Sequence, residues 1–178
     1  YTPAVPSDHK EVVFYQENGY PVKKRAQVLG DISREQFTIA VAGSHGKTTV
    51  SSMIAFILQK AGVDCTAFLG GISTNFNSNY IGGKSNVVVV EADEFDRSFL
   101  QLEPDIAVIT AVDTDHLDIY ENHEAIKSTF VEFASKIKEN GTLITNFSTG
   151  ITGKETLLQE HFLNVLSYSI ENEEADYF

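Results

Sequence analysis

Cysteine is almost absent from this chain. Only Cys65 is present, so neither an internal disulfide nor a cysteine-rich zinc site can form. Cys65 lies in the apolar run CTAFLGG, where a small buried residue is expected. Positive charge is also scarce: 13 Lys and Arg stand against 25 Asp and Glu, a formal net charge of -12. Such a field repels polyanions, so nucleic acid is not an expected partner. If this protein holds phosphates, it must do so through local dipoles, a lysine and a divalent cation. No apolar run reaches the ~18 residues of a membrane span and no basic-then-apolar leader opens the chain, so the expectation is a cytoplasmic protein with no membrane partner. Two motifs are missing as well. No N-K-x-D base-reading signature occurs, which excludes a GTPase, and no G-x-G-x-x-G follows the first strand, which excludes a dinucleotide oxidoreductase.

What is present is globular in composition, with 42% hydrophobic and 21% charged residues and no low-complexity tract. A chain of 178 residues suffices for one domain with a real core. It opens at Tyr1 without Met and closes on the apolar Asp176-Tyr177-Phe178, so a piece of a larger protein is expected. Residues 1–36 offer an extended YTPAV, a helix over Asp8–Glu17 capped by Ser7 and stopped by Asn18-Gly19, and a short helix over Arg25–Ile32. That is too little for a core of its own, and it reads as the tail of a preceding domain plus a linker.

From Phe37 strands alternate with helices. FTIAVAG predicts a strand, and Lys47–Ala61 a helix with Val50, Met53, Ile54, Ile57, Leu58 and Ala61 on one face. CTAFLG predicts a second strand, followed by a long loop over 70–85. NVVVVEADE and DIAVITAVDTD read as strands buried on both faces, as in a parallel sheet. Next come a helix over Asn122–Glu139 striped by Ile126, Phe130, Phe133 and Ile137, a strand TLITNF, a helix over Lys154–Phe162 and a strand NVLSYSI. This alternation predicts an α/β fold, a doubly wound, mostly parallel sheet with helices on both faces.

In such a sheet ligands bind outside the carboxyl ends of the strands. Three predicted strand ends carry suggestive residues. The first is Gly43-Ser44-His45-Gly46-Lys47-Thr48-Thr49, which shares the G-K-T ending of a phosphate loop but has Val41 where the long pattern puts its first glycine. Gly43 and Gly46 allow a tight turn that aims N–H groups at a phosphate seated on the following helix. Lys47 would reach the β and γ phosphates of a nucleotide, and the Thr48 hydroxyl would ligate magnesium. At the second strand end, Glu91 after four valines is the favoured magnesium ligand, ahead of Asp93 and Glu94. The third packs Asp113, Asp115 and Asp118 around His116; one histidine among acids is by itself more often a surface or capping residue. His45 reads as a position where the backbone matters, and His9, His123 and His161 carry no signal.

Together the loop 43–49, EADE at 91–94 and DHLD at 115–118 resemble the ATP-binding central domain of the Mur ligase family, with Ser44 in place of the family's threonine. The resemblance implies a P-loop-like central domain over 37–178, incomplete at its C-terminus, preceded over 1–36 by the tail of a UDP-binding domain. It implies an ATP-dependent, amide-forming ligase of peptidoglycan precursor synthesis, acting on ATP, UDP-N-acetylmuramate and L-alanine through an acyl phosphate. ATP and Mg2+ are the implied cofactors, with Gly43 to Thr49 on the nucleotide, Lys47 and His116 catalytic, and Thr48, Glu91 and His116 on magnesium. A branch of the family that attaches a recycled tripeptide, and a nucleotide-binding module without ligase chemistry, remain as alternatives. Two departures stand out: the position of a carbamylated lysine found in several members falls at about Phe130, and Ala111 replaces an asparagine that many members carry. Since the implied first and third domains are missing, the isolated chain is expected to be inactive as a ligase and to bind ATP weakly if at all.

Overall fold

The computed structural model describes residues 1–2, 4–113, 123–152, 158 and 164–178, apart from the side chains of Asp96 and His123. The strands are β1 (Phe37–Ala42), β2 (Thr66–Ser73), β3 (Ser78–Ile81), β4 (Val87–Glu91), β5 (Ile106–Ile109), β6 (Thr142–Asn146) and β7 (Asn164–Tyr168). They form one sheet in the order β3-β2-β4-β1-β5-β6-β7. Every neighbouring pair is parallel except β2 with β3. The predicted α/β architecture is the observed one.

The unbroken valines of β4 acquire their meaning here. Val88 and Val90 face one core with Ala40, Ala42, Ala107, Ile109 and Leu143, while Val89 faces a second core with Ala67, Leu69, Cys65 and Ala55. A strand apolar on both faces is required because helices cover both. The larger core receives α2 (Arg25–Glu35) through Leu29 and Ile32, a 3-10 helix over Phe95–Gln101, and α4 (His123–Ala134) through Ile126, Phe130 and Phe133. Phe99 lies at the centre of this layer, stacked on Phe133 at 4.8 Å and edge-on to Phe130 at 5.5 Å. Phe130 is therefore a core residue. The smaller core is closed by α3 (Lys47–Lys60).

The helices differ from the sequence reading in detail. α1 begins at Lys10 rather than Asp8, with His9 at its N-cap and no side-chain cap, so Ser7 does not serve there. α2 runs on to Glu35. On α3 the expected apolar stripe is borne out in part: Ile54 and Leu58 pack against the smaller core, but Met53 and Ile57 are 56% and 61% exposed, while Ser51 and Ala55 are buried. The row 47, 51, 55 lies on one helix face, the face that meets the sheet, and Lys47 at its start reaches Glu94 in the turn beyond β4. Small side chains on this face follow from the close approach of the helix. α4 stops at Ala134, before Asn140-Gly141, as 3-10-type bonds tighten the chain (Lys136 N to Phe133 O, 2.9 Å) and Lys138 N donates to Pro104 O at 2.9 Å. Ile137 is still buried beyond the helix end.

The segment 70–85, read as a loop, contains β3. β2 continues to Ser73 and turns back through Asn77, whose φ of 51° lies in the left-handed region that asparagine tolerates. The helix expected over Lys154–Phe162 lies outside the described residues, except for Leu158, which is helical and buried.

Candidate nucleotide-binding site

Register brings the candidate residues together. Val41 of β1 is level with Glu91 of β4, and Ala42 is level with Ile109 of β5. The chain leaving β1 at Gly43 thus passes between the ends of two neighbouring strands. Gly43 has φ 136° and Gly46, the N-cap of α3, has φ 82°, conformations that favour glycine.

From the β5 side the loop is shaped by hydrogen bonds. Thr110 N donates to Ala42 O at 3.0 Å, and Ser44 N donates to Ala111 O at 3.0 Å. Ser44 Oγ accepts from Asp113 N at 2.8 Å and lies 3.3 Å from Asp113 O. The Thr110 hydroxyl donates to Ala42 O at 3.1 Å and also reaches the His45 carbonyl. A Cβ on Gly43 would collide with this hydroxyl and come within 2.9 Å of Ala111 N. Ala111, lacking the family's asparagine side chain, contributes its backbone carbonyl.

From the β4 side the loop meets charge. Lys47 Nζ donates to Glu94 Oε1 at 2.9 Å and to Gly43 O at 2.7 Å. The two side chains are 15% and 4% exposed. Thr48 Oγ1 donates to Glu91 Oε1 at 3.0 Å, while Glu91 Oε2 accepts from Gly70 N at 2.6 Å. The β2–β4 ladder ends at Phe68, and a register shift follows it in β2–β3, so the Gly70 N–H is directed at a side chain. A side chain at Gly70 would strike the Glu91 carboxylate.

The structure assembles Gly43, Ser44, His45, Gly46, Lys47, Thr48, Thr49 and Glu91 at the carboxyl edge of the sheet, with Thr49 exposed. His45 Nε2 lies 3.6 Å from Asp113 Oδ2 at the surface. His116 lies outside the described residues. Glu94, ranked behind Glu91 from sequence, is buried against Lys47, and its burial would have been legible only from the turn that follows it. Thr110 and Gly70 carried no motif at all.

The donor set suits a hard cation. Thr48 Oγ1 and Glu91 Oε1 are 3.0 Å apart, the edge length of an octahedron with bonds of about 2.1 Å, as magnesium prefers. Among the described residues no three His, Cys, Asp or Glu side chains converge as a metal centre. Also among them, no helix is long and apolar enough to cross a membrane. Cys65 is fully buried against the Ala55 carbonyl, and burial pushes its thiol pKa up.

The family model described as the Mur ligase middle domain matches residues 41–178. A curated UDP-N-acetylmuramate--L-alanine ligase from Flavobacterium johnsoniae is 48% identical over 177 residues, covering 99% of this chain and 39% of that protein. Among solved structures, the UDP-N-acetylmuramate-alanine ligase from Thermotoga maritima matches with a TM-score of 0.69 and 29% identity, over 94% of this chain and 38% of that one. The UDP-N-acetylmuramate:L-alanyl-gamma-D-glutamyl-meso-diaminopimelate ligase from Neisseria meningitides matches with a TM-score of 0.71 and 26% identity, over 92% of this chain and 56% of that one. The chain therefore spans about two fifths of the length of the curated relatives it matches.

Proposed function

The chain belongs to the Mur ligase family, and on that premise we propose that it is the ATP-binding central part of a ligase joining L-alanine to UDP-N-acetylmuramate. The observation that carries this reading is the pairing of Thr48 with Glu91 beside Lys47, on a loop that opens a helix at the carboxyl edge of a parallel sheet. In this reading the N–H groups of the turn 43–48 cradle the phosphates at the N-terminus of α3. Lys47 binds the β and γ phosphates, and Thr48 and Glu91 hold magnesium, which supplies charge neutralisation at the transferring phosphoryl group. The γ-phosphoryl passes to the carboxylate of UDP-N-acetylmuramate; the amine of L-alanine attacks the acyl phosphate, forms the amide bond and expels phosphate. Such a step depends mainly on fixed charges where negative charge develops, which is what a half-buried lysine offers. By family resemblance His116 is a further metal ligand near the acyl phosphate. Residues 1–36 are the tail of the UDP-binding domain and linker, residues 37–178 belong to the central domain, and the setting is the cytoplasm.

The 48% identity to the Flavobacterium johnsoniae ligase favours L-alanine as the acceptor. Tripeptide is the second reading, favoured by the Neisseria structure with its TM-score of 0.71. The test uses the full-length ligase carrying this segment, supplied with ATP, Mg2+ and UDP-N-acetylmuramate. Phosphate release and amide product are expected with L-alanine. Turnover with tripeptide alone would move the assignment to the recycling branch. Turnover with neither would favour a binding module, and turnover indifferent to replacement of His116 would remove that residue from the proposed metal site.

A further inference from the structure

The Lys47 ammonium is engaged by its own loop and by the turn beyond β4. Two acceptors share its three N–H donors, the Gly43 carbonyl at 2.7 Å and the Glu94 carboxylate at 2.9 Å. We propose that Glu94 is a latch: it holds the phosphate-binding lysine folded onto its own loop, and the polyphosphate of an incoming nucleotide must displace it. This rests on the reading of the loop as a nucleotide site.

Three observations carry it. First, the carboxylate is fixed rather than trailing in solvent, since the Glu94 side chain is only 4% exposed. Low exposure strengthens its hold on Lys47 and equally its repulsion of any phosphate oxygen brought to the same ammonium. Second, the backbone carrying Glu94 is tied into a turn, with Arg97 N donating to Glu94 O and Phe99 N to Asp93 O, both at 3.0 Å. Arg97 sits at φ 54°, a strained conformation for a side chain of its size, and its guanidinium is tethered to Glu132 on α4. Third, the neighbouring carboxylate is engaged differently: Glu91 meets a hydroxyl and an N–H, groups that leave it available to a cation. The two glutamates of EADE thus divide the loop, Glu91 on the threonine and Glu94 on the lysine. Displacement requires either that Lys47 swing from Glu94 toward phosphate or that the 94–97 turn withdraw.

The test is equilibrium binding of Mg·ATP and of AMP to the full-length ligase as wild type, Glu94→Gln and Glu94→Asp. Gln keeps the shape but removes the charge, so Mg·ATP is expected to bind about 5- to 10-fold more tightly, while AMP, too short to reach Lys47, is unchanged. Asp keeps the charge one methylene further from Lys47 and is expected to give a smaller gain; it decides the matter if the Gln protein fails to fold. Unchanged or weaker Mg·ATP binding in both folded variants would overturn the latch. An equal gain for AMP would overturn it too, by making the effect one of general charge. If the wild type binds no Mg·ATP, the nucleotide reading fails and the latch with it; if it binds and neither variant gains, the latch alone fails.

Discussion

The two strands flanking β1 meet the same loop in opposite ways. β5 offers backbone and hydroxyl groups: Thr110, Ala111 and Asp113 bind the loop's main chain and Ser44, fixing its shape. The β4 side offers carboxylates: Glu91 at the strand's end and Glu94 in the turn beyond it bind the side chains of Thr48 and Lys47, fixing its charge. In this acidic protein the lysine of the loop is thus held by a carboxylate of its own site. Form from one flank and charge from the other are separable, and substitution can separate them.

The largest effect is expected on the charged flank. Lys47→Met removes the ammonium at the start of α3 and should lower kcat of the full-length ligase by about 100- to 1,000-fold, the usual loss for a preorganised transition-state donor. It also leaves the buried Glu94 without its Lys47 partner, so thermal melting should fall in the same variant. On the shaping flank, Gly43→Ala adds a methyl where the Thr110 hydroxyl sits, at a φ of 136°. A stability loss of about 3 kcal/mol is expected from overpacking and backbone strain, read as a lower urea midpoint with unchanged slope. Thr110→Val keeps the volume and removes the hydroxyl's bonds to Ala42 O and His45 O. About 1–2 kcal/mol of stability should go, with a smaller loss in kcat than Lys47→Met causes; an equal loss would erase the division between flanks.

The smallest effect lies far from both. Asp176 accepts from Ser167 N and Oγ, each at 2.7 Å, and these bonds hold its carboxyl below the ordinary carboxylate pKa. Because the folded pKa is depressed, its contribution is complete above the unfolded value near 3.9 and is lost as pH falls through the folded value. Asp176→Asn should therefore melt slightly below wild type at pH 7, and the gap should close as pH falls below about 4.

Much of this was legible in the sequence because strong local signals agreed with the tertiary outcome. Glycines before a lysine, valine runs and the Ile126-Phe130-Phe133 row all behave as periodicity and turn chemistry predict. Most of the misreadings trace to contacts between residues distant in sequence. Met53 and Ile57 of α3 face outward while Ser51 and Ala55 face inward, in register with Lys47 and its contact to Glu94, which no periodicity encodes. β3 was hidden because SNYI is short and polar, and only pairing with β2 makes it a strand. Ser7 offered a cap that the chain does not use, since α1 starts after His9. Glu94 was ranked behind Glu91 because position along a strand is readable and burial in the turn beyond it is not.

The central claim is that β4 supplies the charge chemistry of the loop. The most direct measurement is a crystal structure of the full-length ligase with Mg2+ and a non-hydrolysable ATP analogue. The account predicts a metal ligated by Thr48 Oγ1 and the Glu91 carboxylate, with Lys47 Nζ on the phosphates and released from Glu94. A metal bound away from both residues, or Lys47 still paired with Glu94 while phosphates occupy the loop, would contradict it.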